Sequence, residues 1–269
     1  MTKQSMQELL ETYGGRPLQS LSQNFLIDEN LARKIAAGAT TETSRVVEIG
    51  PGLGALTEHL VKRFDDVTIF ELDATYSRIL TERFPEVKVN HINFLESAEI
   101  LQTIEQPYVV IANIPYHITA QLIRFCLTTH NPPVEFVFLM QKEVAERIVD
   151  TKEPSILQLS VEMYAVSQYL FTVPKTCFYP QPRVDSAVVR FTRRNEPLAE
   201  NPEEVLGFLK GPFGTRRKIL FSSLRRQFPK IDWEKVFASC KIDPKVRPED
   251  ISLESWILLY NEYKKNVSL

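Results

Sequence analysis

The sequence predicts an α/β fold: a mostly parallel sheet covered by helices on both faces, followed by a small all-helical domain. Three observations predict it. Apolar strand candidates alternate with helical periodicity from about residue 45 to 191, the pattern of successive βαβ units. The first strand candidate runs straight into a glycine-rich turn, Gly50-Pro-Gly52-Leu-Gly54. After residue 191 strand patterns stop and only helical ones remain.

In chain order, Asp28 reads as the N-cap of a helix over 29–39. Strand candidates follow at 45–49, 67–71, 87–92, 108–112 and 134–140, each a short run rich in Val, Ile or Phe. Helical periodicity lies between them over 53–63, 74–84 and 119–128. Two later strands, 171–173 and 186–191, flank the proline-rich segment 174–182, which reads as a long loop joining an antiparallel edge pair. The charged, proline-flanked stretch 193–202 reads as a linker, and helices are expected over 202–209, 215–227, 233–239 and 252–263. The division drawn from this pattern is 1–192 and 193–269. There are no internal repeats and no low-complexity stretch.

Composition narrows the function classes. At 269 residues and 43% apolar, the chain can bury a sizeable core and fits one large domain plus a smaller one. Cys126, Cys177 and Cys240 are an odd number without C-x-x-C spacing, which points away from a disulfide framework or zinc site and toward a reducing cytosol. His59, His91, His117 and His130 lack a ligand spacing, so no metal is expected. Residues 1–10 have no apolar core of a signal peptide, and no apolar run approaches the roughly 18 residues of a membrane span, so a soluble cytoplasmic protein is expected. Net charge is only −2, but residues 1–173 carry 14 Lys and Arg against 22 Asp and Glu, whereas 174–269 carry 18 against 12. A basic second part suits contact with a polyanion, although ordinary helical surface charge gives the same asymmetry.

Two strand-to-loop junctions carry the chemistry. At the first, glycines let the backbone turn sharply and approach a ligand closely. The spacing is G-x-G-x-G rather than the G-x-G-x-x-G of a dinucleotide site. Glu48 precedes the glycines and Glu71 ends the next strand, where a carboxylate can receive ribose hydroxyls. That arrangement matches the S-adenosylmethionine (SAM) site of class I, Rossmann-like methyltransferases better than an NAD site. Asp73 reads as a helix cap. At the second junction, Asn113-Ile-Pro-Tyr116 places a planar amide, a rigid turn and an aromatic ring at the end of a buried strand. The amide of Asn113 can accept a hydrogen from an exocyclic adenine amine, and Tyr116 can stack on the ring, a contact worth about 1–3 kcal/mol. Methyl transfer needs alignment more than acid–base power, so positioning and electrostatics suffice.

These motifs resemble the ribosomal RNA adenine dimethyltransferase family, and within it the enzymes of the small ribosomal subunit. The resemblance spans nearly the whole chain: Gln23-Asn-Phe-Leu-Ile-Asp28, Val47 to Gly54, Asn113 to Tyr116, Met140-Gln-Lys-Glu-Val144, Leu159-Ser-Val161, Phe178 to Arg190 and Phe213-Gly-Thr-Arg-Arg-Lys218. It implies a class I methyltransferase sheet with a small helical domain that binds RNA. SAM would be held by Asn24, Leu26, Gly50, Glu71, Asn93 and Asn113. The target base would meet Asn113, Pro115 and Tyr116, with Phe178 closing over its other face. The implied reaction is dimethylation at N6 of two adjacent adenines in the 3′-terminal hairpin loop of small-subunit (16S) rRNA. The implied partner is an immature small subunit, met by a monomer. Alternatives are the related enzyme acting on large-subunit rRNA, which Phe213–Lys218 and Arg247-Pro-Glu249 resemble less, and a non-catalytic binding factor of the same fold.

Two departures from the family pattern stand out. Where the family usually has Asp after its third strand this chain has Asn93, so weaker cofactor binding is expected. Ahead of Gln23 the chain reads Gln19-Ser-Leu-Ser22, without the usual positive charge and glycine. Finally, Arg216, Arg217, Lys218, Arg225 and Arg226 are expected on one helix, with Leu220, Phe221 and Leu224 turned to the core, so that the basic residues contact RNA phosphates. A target adenine must leave its stack to reach such a pocket.

Overall fold

The computed structural model describes residues 3–13, 24–150, 154–215 and 217–267. Gln23, the segment 19–22 and Arg216 lie outside the described residues. The chain divides into two compact units, Met1–Glu146 with Ser167–Arg193, and Arg147–Val166 with Arg194–Leu269.

In chain order the first elements are α1 (Lys3–Tyr13), β1 (Phe25–Leu26), α2 (Glu29–Ala36), β2 (Arg45–Ile49), α3 (Thr57–Leu60), β3 (Asp66–Glu71), α4 (Ala74–Arg83) and β4 (Lys88–His91). They are followed by α5 (Ala98–Gln102), β5 (Val109–Asn113), α6 (Thr119–Thr128), β6 (Glu135–Gln141) and α7 (Lys142–Val149). Then come α8 (Ile156–Tyr164), β7 (Ala165–Val173), β8 (Phe178–Tyr179) and β9 (Ser186–Arg193). The main sheet has the order β4-β3-β2-β5-β6-β9-β7. Its first five strands are mutually parallel, and β9 enters antiparallel to β6. From β2 the chain winds outward through β3 to β4, then returns to the other side of β2 as β5. The order therefore reverses between β2 and β5, the crevice where open α/β sheets bind ligands.

Local chemistry explains the element starts. The Asp28 carboxylate accepts the Leu31 N–H at 3.0 Å and Asp73 accepts those of Thr75 and Tyr76 at 2.8 and 3.1 Å, so both predicted caps hold. The helix predicted over 53–63 is shorter, Thr57–Leu60; it starts late because Gly54 at φ +84° breaks the helical backbone ahead of it. Apolar residues of β2, β3, β5, β6 and β9 are buried nearly throughout, as expected of strands covered on both faces. Phe136 and Phe191 stack at 4.5 Å between β6 and β9. A separate two-stranded ribbon pairs β1 with β8, Phe25 opposite Tyr179 and Leu26 opposite Phe178.

The second unit contains α8, α9 (Pro202–Gly214), α10 (Leu220–Gln227), α11 (Trp233–Cys240) and α12 (Leu253–Val267). The segment 147–166, counted with the first domain in the sequence reading, packs with these helices instead, so the chain passes between the units more than once. Phe208 sits within ring contact of Phe228, Trp233, Trp256, Tyr260 and Tyr263, an aromatic centre for the unit. The helix expected over 215–227 starts only at Leu220: Ile219 is extended, at ψ 135°, and the Leu220 N–H is taken by the Val246 carbonyl at 2.8 Å. Arg217 and Lys218 thus lie in the turn before α10 and not on it. Leu220 and Leu224 face the core as expected, and Arg225 and Arg226 are exposed. No helix among the described residues is long and apolar enough to cross a membrane.

Candidate active site

A cleft opens at the carboxyl ends of the parallel strands, and its position follows from register. Ile49 of β2 lies opposite Ala112 of β5 and Phe70 of β3, and Glu71 lies opposite His91 of β4. Gly50, Glu71, Asn93 and Asn113 therefore leave four adjacent strands at one edge. Asn24, Leu26, Gly50, Glu71, Asn93, Asn113, Pro115 and Tyr116 all line the cleft, so eight residues singled out from sequence converge.

Each wall has its own chemistry. Gly50 has φ +61°, and a Cβ there would meet nothing within 4 Å, so bare backbone faces open space at the cleft floor. Gly54 has a different reason to be glycine: at φ +84°, its Cβ would stand 2.6 Å from Cε2 of Phe84. The Glu71 carboxylate accepts the Gly52 N–H at 3.0 Å through Oε2 and the Asp73 N–H at 2.9 Å through Oε1. These bonds tie the glycine turn to β3. Burial pushes the Glu71 carboxyl above its usual range, against the pull of those backbone donors. Behind it Glu48 is fully buried, with one hydrogen bond from the Thr57 hydroxyl at 2.6 Å. Burial, reinforced by the charge of Glu71, pushes its carboxyl up to about 8.

Asn113 donates from Nδ2 to the Asn24 carbonyl at 3.0 Å. With its donor end held, the amide presents its acceptor oxygen. Pro115 starts a 3-10 turn over Tyr116–Ile118, and the Tyr116 hydroxyl shares a 2.7 Å hydrogen bond with the fully buried Ser186 Oγ. Burial raises the Tyr116 phenol, while the bond to Ser186 lowers it. Asn93 caps a 3-10 turn: its Oδ1 accepts the Leu95 N–H at 3.1 Å and its Nδ2 donates to Glu96 Oε1 at 3.2 Å.

Phe178, expected over the far face of the base, lies apart from the other site residues in the structure. Pairing with Leu26 and the bond from the Ile27 N–H to the Cys177 carbonyl fold its segment onto the core, where the ring is 3% exposed, and it does not line the cleft. Sequence reasoning missed Ser186, whose signal lay only in its place at the start of the β9 run. Among the described residues no cluster of His, Cys, Asp and Glu could hold a metal ion. The cleft's donor set fits a nucleoside-type cofactor: exposed glycine backbone, a carboxylate, and apolar walls from Leu26, Leu72, Ile92 and Phe94.

Similarity to known proteins points the same way. A sequence profile of the ribosomal RNA adenine dimethylase family matches residues 17–265. The ribosomal RNA small subunit methyltransferase A of Bacillus pumilus is 37% identical, covering 96% of this chain and 95% of that protein. The protein of the same name from Listeria monocytogenes is 40% identical over 82% of this chain and 80% of its own length. Among solved structures, the 23S rRNA methyltransferase ErmE has a TM-score of 0.72 at 27% identity, covering 90% of this chain and 100% of that one. A dimethyladenosine transferase from Plasmodium falciparum has a TM-score of 0.78 at 21% identity, covering 90% and 98%, and supports the fold.

Proposed function

This chain belongs to the ribosomal RNA adenine dimethylase family, and from that premise we propose that it dimethylates N6 of two adjacent adenines in the 3′-terminal hairpin loop of small-subunit (16S) rRNA. The observation that carries this is the convergence of Gly50, Glu71 and Asn113 on one cleft at the point where the strand order reverses. SAM is the cofactor: when bound it supplies a methyl carbon whose bond to the sulfonium sulfur breaks as the amine nitrogen's lone pair forms the new C–N bond.

The chain's own residues bind and orient. Glu71 receives ribose hydroxyls, and the bare backbone at Gly50 permits close approach. Asn24, Leu26 and Asn93 complete the cofactor walls. Asn113 Oδ1 accepts one amine hydrogen of the adenine, which holds N6 in line and directs its lone pair at the methyl carbon. Tyr116 stacks on the ring and its electron-rich face stabilises the positive charge that builds on nitrogen. Pro115 fixes the turn between them. Phe178, buried in the structure, meets the ring's other face when its side chain turns out over the base, its backbone staying paired with Leu26. The displaced amine proton leaves to water. Arg217, Lys218, Arg225 and Arg226, with Arg216, contact RNA phosphates, which position rather than specify. The working partner is an immature small subunit in the cytoplasm, met by a monomer. Relatives named for the small subunit are 37–40% identical, against 27% for the 23S enzyme, so large-subunit rRNA is the less favoured substrate.

The test is transfer of labelled methyl from SAM to small subunits lacking the modification, followed by mapping of the base. Asn113→Ala is expected to lose at least about a hundredfold in turnover, the scale of one removed transition-state contact, with near-normal subunit binding. Label on large subunits alone, or none with wild type, would overturn the reading.

A further inference from the structure

We propose that Asp185 and Ser186 are positioning residues for the base pocket, holding its two aromatic walls from a single point in the chain. The inference rests on the methyltransferase reading above. It starts from topology. The parallel strands reach the cleft with their carboxyl ends, but β9 runs the other way and brings its first residue there, Ser186 opposite Gln141 at the end of β6. The Asn-Ile-Pro-Tyr turn leaves the neighbouring strand β5, where Asn113 lies opposite Leu139, and passes over this edge. Tyr116 is thereby brought to Ser186, and the 2.7 Å bond between their hydroxyls fixes where the ring's outer end stands.

Asp185 acts on the other wall. Its Oδ1 accepts the Lys175 N–H at 2.9 Å, closing the base of the loop that carries Phe178, and its carbonyl accepts the Lys142 N–H at 3.1 Å. Lys175 starts the 3-10 turn leading directly into β8, whose Phe178 pairs with Leu26. Two residues before Leu26, the Asn24 carbonyl holds the amide of Asn113. The contacts close a circuit: from Asn113 through Pro115 to Tyr116, across to Ser186 and Asp185, along the Phe178 loop to β1, and back to Asn113. Neither Asp185 nor Ser186 lines the cleft: Ser186 acts through Tyr116, which does, and Asp185 through the loop that carries Phe178. A ring already held at its hydroxyl stacks on an incoming base without giving up further rotational freedom.

The test uses the full chain and small subunits lacking the modification. Ser186→Ala and Tyr116→Phe each remove the same hydrogen bond, so each should lower kcat about five- to tenfold, the factor one neutral hydrogen bond corresponds to. The double variant should be no worse than the poorer single one, and SAM affinity by calorimetry should stay within about twofold of wild type. Asp185→Ala should lower kcat similarly, while Asp185→Asn, which keeps the acceptor oxygen, should restore it. The proposal is overturned if the Ser186 and Tyr116 effects multiply, if SAM affinity falls in step with turnover, or if Asp185→Asn falls as far as Asp185→Ala. It is equally overturned if Ser186→Ala matches an active wild type. An inactive wild type would instead reject the methyltransferase reading itself.

Discussion

Asn93 occupies the cofactor wall at the end of β4 with both ends of its amide engaged, one by the Leu95 N–H and the other by Glu96. A carboxylate here would keep the cap, because Asp caps turns as well as Asn does. It would also add charge for an adenine amine to donate to, and charge-assisted bonds are roughly twice as strong as neutral ones. Yet its second oxygen would face the Glu96 carboxylate where Nδ2 now donates at 3.2 Å. The gain and the repulsion oppose each other. Asn93→Asp alone is therefore expected to tighten SAM by less than Asn93→Asp with Glu96→Gln, for which about three- to tenfold is expected by calorimetry. A double variant that binds no better than wild type would show that charge at this position is irrelevant to the donor.

At the scale of elements, the glycine turn and the strands that flank it were legible because their signals are local: apolar runs of fixed length, a glycine cluster between them, and Asp28 and Asp73 at helix starts. Gly50, Glu71, Asn93 and Asn113, with Pro115 and Tyr116 just beyond, needed only the strand ends to be placed correctly, since a parallel sheet brings those ends together, whereas Asn24 and Leu26 reach the cleft on the separate β1–β8 ribbon. What could not be read locally depended on distant partners. Phe178 is buried because it pairs with Leu26, about 150 residues away, and nothing near it in sequence announces a two-residue strand. Arg217 and Lys218 fall off the helix because Val246 claims the amide of Leu220. The segment 147–166 carries helical pattern but no mark of which unit it joins. Within the glycine turn the structure separates two jobs that the motif alone merges. Gly54→Ala meets both backbone strain and the Phe84 ring, and is expected to cost about 2–4 kcal/mol in urea unfolding. Gly50→Ala meets strain alone, about 1 kcal/mol, but fills the open cleft floor and should abolish SAM binding in calorimetry. Equal stability losses for the two would refute this division.

At the scale of the whole molecule, a net charge of −2 hides two opposed parts, and in the acidic part Glu48 and Glu71 are bonded, among the described residues, to neutral donors. Glu48 is the extreme case, fully buried beside Glu71 with, among the described residues, only the Thr57 hydroxyl bonded to it. Its carboxyl titrates near 4.5 when solvated and near 8 in the fold. Below about 4.5 both states hold the proton, and Glu48 makes stability no more pH-dependent. Between the two values the unfolded chain carries a carboxylate while the folded chain keeps the acid, so folding takes up a proton and stability falls as pH rises. Above about 8 both states are ionised and the loss is complete, on the order of 5 kcal/mol. Glu48→Gln carries no such proton. Its own packing cost is the same at every pH, so the informative quantity is a slope. In urea unfolding followed from about pH 5 to about pH 9.5, the stability of Glu48→Gln relative to wild type should climb steadily up to about pH 8 and then level off. Parallel curves for the two proteins would mean that Glu48 is ionised throughout and that the fold supplies it with more than Thr57.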